Sequence, residues 1–178
     1  EIRSEHPLPV PLGSDPLNPL HLIRKVCEMT GEDTIITTDV GQHQMWVAQA
    51  YSFRSPRSFL TSGGLGTMGF GLPTAIGAAL ANPGKKVVCI SGDGSIQMNI
   101  QEFATLGELG LDVLVLVMNN QHLGLVRQQQ ELFFNGNYIA SKFVTRLDFA
   151  AIARQFGVRG ISLNQSRDPV KTIESALR

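Results

Sequence analysis

The stretch ISGDGSIQMN, residues 90–99, sets a carboxylate, Asp93, between two glycines directly after an apolar run. A second apolar run, LVLVM, ends in two amides, Asn119 and Asn120. A carboxylate oxygen, an amide oxygen and a backbone carbonyl make a hard oxygen set that suits Mg2+ or Ca2+ rather than zinc. Two or three such protein ligands leave coordination positions for phosphate oxygens, the usual arrangement for Mg2+. The glycines beside Asp93 let backbone N–H groups approach a diphosphate at a helix start. Alone, an aspartate at a glycine turn more commonly caps the next helix. Its pairing with the asparagines is what favours a site.

The spacing says how the two ends meet. Between Gly94 and Asn119 lie 24 residues, enough for one helix and one strand. In a right-handed βαβ unit the chain returns parallel to its start, and both strand ends face one crevice. The same alternation runs through the chain. TIITT over 34–38 is β-branched and predicts a strand, and VGQHQMWVAQAY turns into a helix. A short strand over 58–61, a loop with glycines at 63, 64, 66, 69 and 71, and a small-residue helix over 72–81 come next. KKVVCI and DVLVLVM predict strands, and the pattern predicts helices over 99–110, 123–134 and 148–156. Asn99 and Glu102 have capping-box spacing. VRGISL, residues 158–163, predicts a further strand, and Asp168 with Pro169 opens a last helix. The residues from 133 to 146 read as a mobile loop. Near the start, Asn18 and Pro19 mark a helix N-terminus that Gly31 closes. Continuously apolar strands alternating with helices predict an α/β fold: doubly wound, a mostly parallel sheet with helices on both faces. Residues 1–17 carry four prolines and read as a linker or arm, leaving residues 18–178 as one domain.

Composition excludes several partners. Fifteen basic residues balance fifteen acidic ones without a long run of either sign, so neither nucleic acid nor a membrane surface is expected. No apolar stretch approaches the roughly 20 residues of a bilayer span. The two cysteines, Cys27 and Cys89, fall in core patterns and read as reduced residues of a cytoplasmic protein. With Glu1 first and no signal-peptide pattern, the expectation is of a piece of a longer polypeptide. GGLGTMGFG echoes a dinucleotide-binding loop, but no acidic residue follows about 20 positions after a clear strand, so NAD is not expected.

GDGSIQMNIQEFATLGELGLDVLVLVMNN resembles the GDG-x-NN signature of thiamine-diphosphate enzymes. Together with TTDVGQHQMW, TSGGLGTMGFGLPTAIGA and NNQHLGLVRQQQELFF, it is similar to the C-terminal, diphosphate-binding domain of acetolactate synthase large subunits. The resemblance covers about residues 18–175 and implies a thiamine-diphosphate/Mg-binding domain. It implies that Asp93 and Asn120 ligate Mg2+ through their side chains and His122 through its backbone carbonyl. Gly94 and Ser95 would meet the diphosphate, held from the other side by Val40, Gly41, Gln42 and His43. Met68 would support the bent cofactor, and Gly66, Gly124 and Leu125 would complete the cleft. Leu125 and Gln129 would face the substrate. Relatives usually carry tryptophan at the Gln129 position, where it is thought to favour 2-ketobutyrate; Gln129 favours pyruvate or another small keto acid or aldehyde.

The implied reaction decarboxylates pyruvate and ligates its hydroxyethyl unit to a second 2-keto acid, on the way to branched-chain amino acids. Other carboligases on the same cofactor, such as glyoxylate carboligase, and a catalytically silent association domain are the alternatives. The resemblance puts no catalytic side chain in this segment, since the glutamate that activates the cofactor lies on an N-terminal domain. It further implies a homodimer or tetramer, a small regulatory subunit in some cases, and FAD in the longer protein but not here.

Overall fold

The computed structural model describes residues 15–178. The expected arm over 1–17 therefore lies outside the described residues, except for a turn at its end where Asn18 N–H donates to Asp15 O. Helix α1 (Pro19–Met29) starts as the sequence predicts: the Asn18 side chain accepts from the N–H groups of Leu20 and His21, and proline stands at the first position. It ends at Met29, before Gly31 could act as a left-handed cap, because Thr30 turns extended and donates its hydroxyl to Val26 O.

Strand β1 (Ile35–Thr38), helix α2 (Gln42–Ala50), strand β2 (Phe59–Thr61), helix α3 (Gly71–Ala81) and strand β3 (Val87–Gly92) follow. Then come a four-residue helix α4 (Asp93–Ile96), a 3-10 turn (Gln97–Asn99), helix α5 (Glu102–Glu108), strand β4 (Val113–Met118) and helix α6 (Gly124–Phe133). Helix α7 (Phe149–Gln155), a second 3-10 turn (Leu163–Gln165) and helix α8 (Pro169–Leu177) complete the order. The sheet runs β2-β1-β3-β4, and every pairing is parallel. Among the described residues no helix is long and apolar enough to cross a membrane.

The central strand β3 shows why its sequence is apolar throughout. Its alternate residues serve two cores. Val88 and Ile90 pack with Leu22, Val26, Val47 and Ile173 on one side. Val87 and Cys89 pack with Leu72, Ala75, Ile96 and Phe103 on the other. Each such side chain contributes about 1.5–3 kcal/mol by leaving water. Cys27 and Cys89 are both free thiols, and burial pushes the Cys89 thiol up to about 12.

Two local expectations fail for identifiable reasons. Asn99 and Glu102 form no capping box. The Asn99 amide instead donates to Gly69 O at 2.7 Å, and Glu102 accepts from the Thr105 hydroxyl. Residues 158–163 form no strand. Val158 N–H donates to Ala153 O and Arg154 donates to Gly160 O at 2.7 Å, so α7 takes the backbone groups that a ladder would need. Gly160 passes so close to Ala150 O that no Cβ would fit. The outer edge of β4 is consequently unpaired among the described residues.

Candidate functional site

The carboxyl ends of β1, β3 and β4 open into one end of a cavity of about 960 Å3 that continues along the whole of β4 to Gly107 and Gly110. Parallel pairing puts Gly92 directly beside Met118, so the turns that follow β3 and β4 emerge side by side. Val40, Gly41, Gln42, His43, Met68, Asp93, Gly94, Ser95, Asn120, His122, Gly124 and Leu125 all line this cleft. Gly66, exposed at φ +65°, and Gln129, exposed on α6, stand outside its lining.

Asp93 is buried at 3% exposure. Burial raises its carboxyl above the usual range, against the N–H groups of Gly94 and Gln121, which favour the anion. Its Oδ1 accepts from Gly94 N–H at 3.0 Å. Its Oδ2 is buried and has no partner among the described residues. A buried carboxylate oxygen left this way costs free energy unless a cation or donor meets it.

The turn after β4 is drawn toward that oxygen. Gln121 adopts φ +60°, an uncommon conformation for a side chain of this type. Asn119 Oδ1 accepts from Gln121 N–H, and Asn120 Oδ1 accepts from His122 N–H at 2.9 Å. The His122 ring is already engaged: Nδ1 lies 2.7 Å from Asn120 O, and Nε2 lies 3.1 Å from Arg127 Nη1. Arginine can only donate, so Nε2 accepts and Nδ1 carries the proton. No ring nitrogen is left for a metal. Leu123 N–H donates to Ser141 O and Phe143 N–H to Gln121 O, with His122 opposite Lys142. In such a pair the carbonyl of the central residue faces away from the partner segment, which leaves the His122 carbonyl open. The segment expected to be a loop is thereby tied back onto the cleft wall.

Close approaches explain the glycines. A Cβ on Gly94 would fall 2.6 Å from Leu123 Cδ2 and 3.1 Å from Phe143 Cζ. One on Gly124 would collide with Gln42 Oε1 and lie 2.9 Å from Asn120 Nδ2. Gln42 itself donates to Gln128 Oε1 across the cleft. Ser95 donates its hydroxyl to Val40 O at 2.7 Å, tying the turn after β3 to the turn after β1. His43 is buried against Gly92 and Gly41, and its Nε2 has no partner among the described residues. Burial lowers its pKa to about 4, although the Asp39 charge and backbone pull it up, so the ring is neutral at pH 7.

Asp39 carries no role in the sequence reading. It is fully buried, with Oδ1 accepting from Val40 and Gly69 N–H and Oδ2 from Gly71 N–H and the Ser91 hydroxyl. One signal could have found it: TTDVG repeats the grammar of ISGDG, a strand, a carboxylate, then glycine.

Residues 39–178 match the family described as thiamine pyrophosphate enzyme, C-terminal TPP binding domain. The chain is 52% identical over 177 residues to the acetolactate synthase isozyme 1 large subunit of Escherichia coli (strain K12), covering 99% of this chain and 32% of that protein. It is 42% identical over 175 residues to the large subunit of Buchnera aphidicola subsp. Schlechtendalia chinensis, covering 98% of this chain and 30% of that one. The corresponding figures for Parasynechococcus marenigrum (strain WH8102) are 44% over 177 residues, 99% and 28%. The chain thus spans about a third of the length of the curated relatives it matches. It belongs to the thiamine pyrophosphate enzyme family, of which it is the C-terminal TPP-binding domain.

Proposed function

We propose that the full-length protein carrying this domain is a thiamine-diphosphate-dependent acetolactate synthase. The domain's part is to hold Mg2+ and the cofactor diphosphate. The observation that carries this reading is Asp93 Oδ2, a carboxyl oxygen buried at the cleft floor without a partner among the described residues. A divalent cation fits it. Asn120 Oδ1 keeps a lone pair beyond the His122 N–H it accepts, and the open carbonyl of His122 supplies the third ligand, an all-oxygen set suited to Mg2+.

Bound thiamine diphosphate supplies the electron sink for decarboxylating a 2-keto acid and ligating the product to a second one. This chain's residues bind and orient. Asp93, Asn120 and His122 hold the metal. Gly94 and Ser95 meet the diphosphate from one side, and Val40, Gly41, Gln42 and His43 from the other. A neutral His43 offers its free Nε2 without adding charge. Met68 supports the rings, since a flexible thioether suits a flat partner. Leu125 shapes the substrate end for pyruvate from the cleft wall, and Gln129, exposed one turn further along α6 and outside the cleft lining, would meet the substrate only at the cleft's outer rim. The activating glutamate, any FAD, dimer or tetramer contacts and a regulatory subunit belong to the longer protein, placed in the cytoplasm on a route to branched-chain amino acids.

The test is the product made from pyruvate by the full-length protein, with and without 2-ketobutyrate. Acetolactate is expected, with little preference for 2-ketobutyrate; a product from glyoxylate instead would move the assignment to another carboligase. These 178 residues alone are expected to turn over no pyruvate.

A further inference from the structure

Asp39 is a carboxyl side chain at 0% exposure, and the chain itself supplies hydrogen-bond donors to both its oxygens. Those partners come from three separate parts of the chain. Oδ1 accepts from Val40 N–H at 3.0 Å, at the end of β1, and from Gly69 N–H at 2.7 Å, in the loop before α3. Oδ2 accepts from Gly71 N–H at 3.2 Å, at the start of α3, and from the Ser91 hydroxyl at 3.3 Å, on β3. Gly69 is gripped from its other side as well, because the Asn99 amide donates to its carbonyl at 2.7 Å. Gly69, the residue after Met68, is thus fixed at both its N–H and its C=O. It runs at φ +87°, where a Cβ would lie 2.8 Å from Asn99 Nδ2. The diphosphate side has support besides Asp39, since Ser95 holds Val40 O and β1 pairs with β3.

We propose that Asp39 is a positioning residue whose carboxylate, together with Asn99, sets how far the Met68 ring support stands from the diphosphate grip. This rests on the cofactor reading above. Asparagine at 39 would keep the shape but turn an N–H donor toward the N–H of Gly69 or of Gly71, donor against donor. The Met68 loop would then shift, while the turns after β3 and β4 keep their own bonds.

The experiment uses the full-length protein and two probes: Mg2+ with thiamine diphosphate, and Mg2+ with inorganic pyrophosphate. Calorimetric titration gives affinities, and near-ultraviolet circular dichroism reports the geometry of the bound aminopyrimidine. Asp39→Asn is expected to weaken thiamine diphosphate about tenfold or more and to alter the dichroic band, with pyrophosphate changed less than about threefold. Asn99→Ala, which frees only the Gly69 carbonyl, is expected to give the same split at smaller amplitude. It decides the matter if Asp39→Asn does not fold. Equal weakening of both probes means general loosening and overturns the inference, as does an unchanged band with unchanged affinities. Wild-type protein that binds neither probe overturns the cofactor reading, and this inference with it.

Discussion

Asp39 and Asp93 are the same side chain in the same setting, each directly after a parallel strand and each nearly inaccessible to water, at 0% and 3% exposure. Four protein donors surround the first. The second has one oxygen with no partner among the described residues. The difference separates two uses of buried charge. A carboxylate whose lone pairs are all met by its own chain organises the backbone. One left short holds a place for something that arrives later.

The contrast can be broken at several points. Asp93→Ala in the full-length protein is expected to weaken binding of Mg2+ with thiamine diphosphate by about a thousandfold or more, read by titration calorimetry; retained affinity would leave Asp93 no different in kind from Asp39. Asp39→Asn is expected to lower the unfolding free energy by about 3–4 kcal/mol in urea, because it strands donors that an anion had satisfied.

A pH series sharpens the contrast. His43 has its pKa lowered to about 4 by burial. Its contribution to stability is therefore present above its ordinary value near 6.5 and lost as pH falls through about 4, on the order of 3 kcal/mol. Asp93 runs the other way. Its carboxyl is raised by burial, so its contribution is present below the ordinary carboxylate value and lost as pH rises through the folded one. Urea midpoints between pH 4 and 7 should climb less steeply in His43→Gln and more steeply in Asp93→Asn than in the wild type. The smallest effect is expected at pH 7 without metal, where Asp93→Asn should gain about 1 kcal/mol by removing an unpaired charge. A cost there as large as that of Asp39→Asn would erase the distinction.

The sequence made one of these aspartates visible and not the other. Asp93 stands between glycines, and its partner asparagines end the next strand, so a single βαβ unit is enough to join them. Asp39 gives a local sign too, but its meaning lies in Gly69, Gly71 and Ser91, which are 30, 32 and 52 positions away. No local rule pairs them. The strands β1, β3 and β4 were legible because buried parallel strands are apolar on both faces. Residues 158–163 have apolar Val158, Ile161 and Leu163 but also Arg159 and Ser162, and hydrogen bonds with α7 claim Val158 N–H and Gly160 O. Asn99 has the capping-box spacing but is drawn to Gly69 across the cleft wall. The left-handed turn at Gln121 has no residue-type signal, since glutamine gives no hint of positive φ. It arises where backbone bonds to Asn119 and Phe143 fix the chain.

The uncovered rim of β4 has a consequence for the behaviour of the chain in solution. Val113–Met118 is six apolar residues long, with no proline, glycine or charge, the composition from which cross-β stacks are built. Among the described residues, the segments around Asp148 and Val158 and the α8 residues Thr172, Ile173 and Ala176 line the cavity along that rim. Loosening that flank would expose a hydrogen-bonding template to other copies, and concentrated solutions would then be expected to gel or seed fibrils before the cofactor cleft itself came apart.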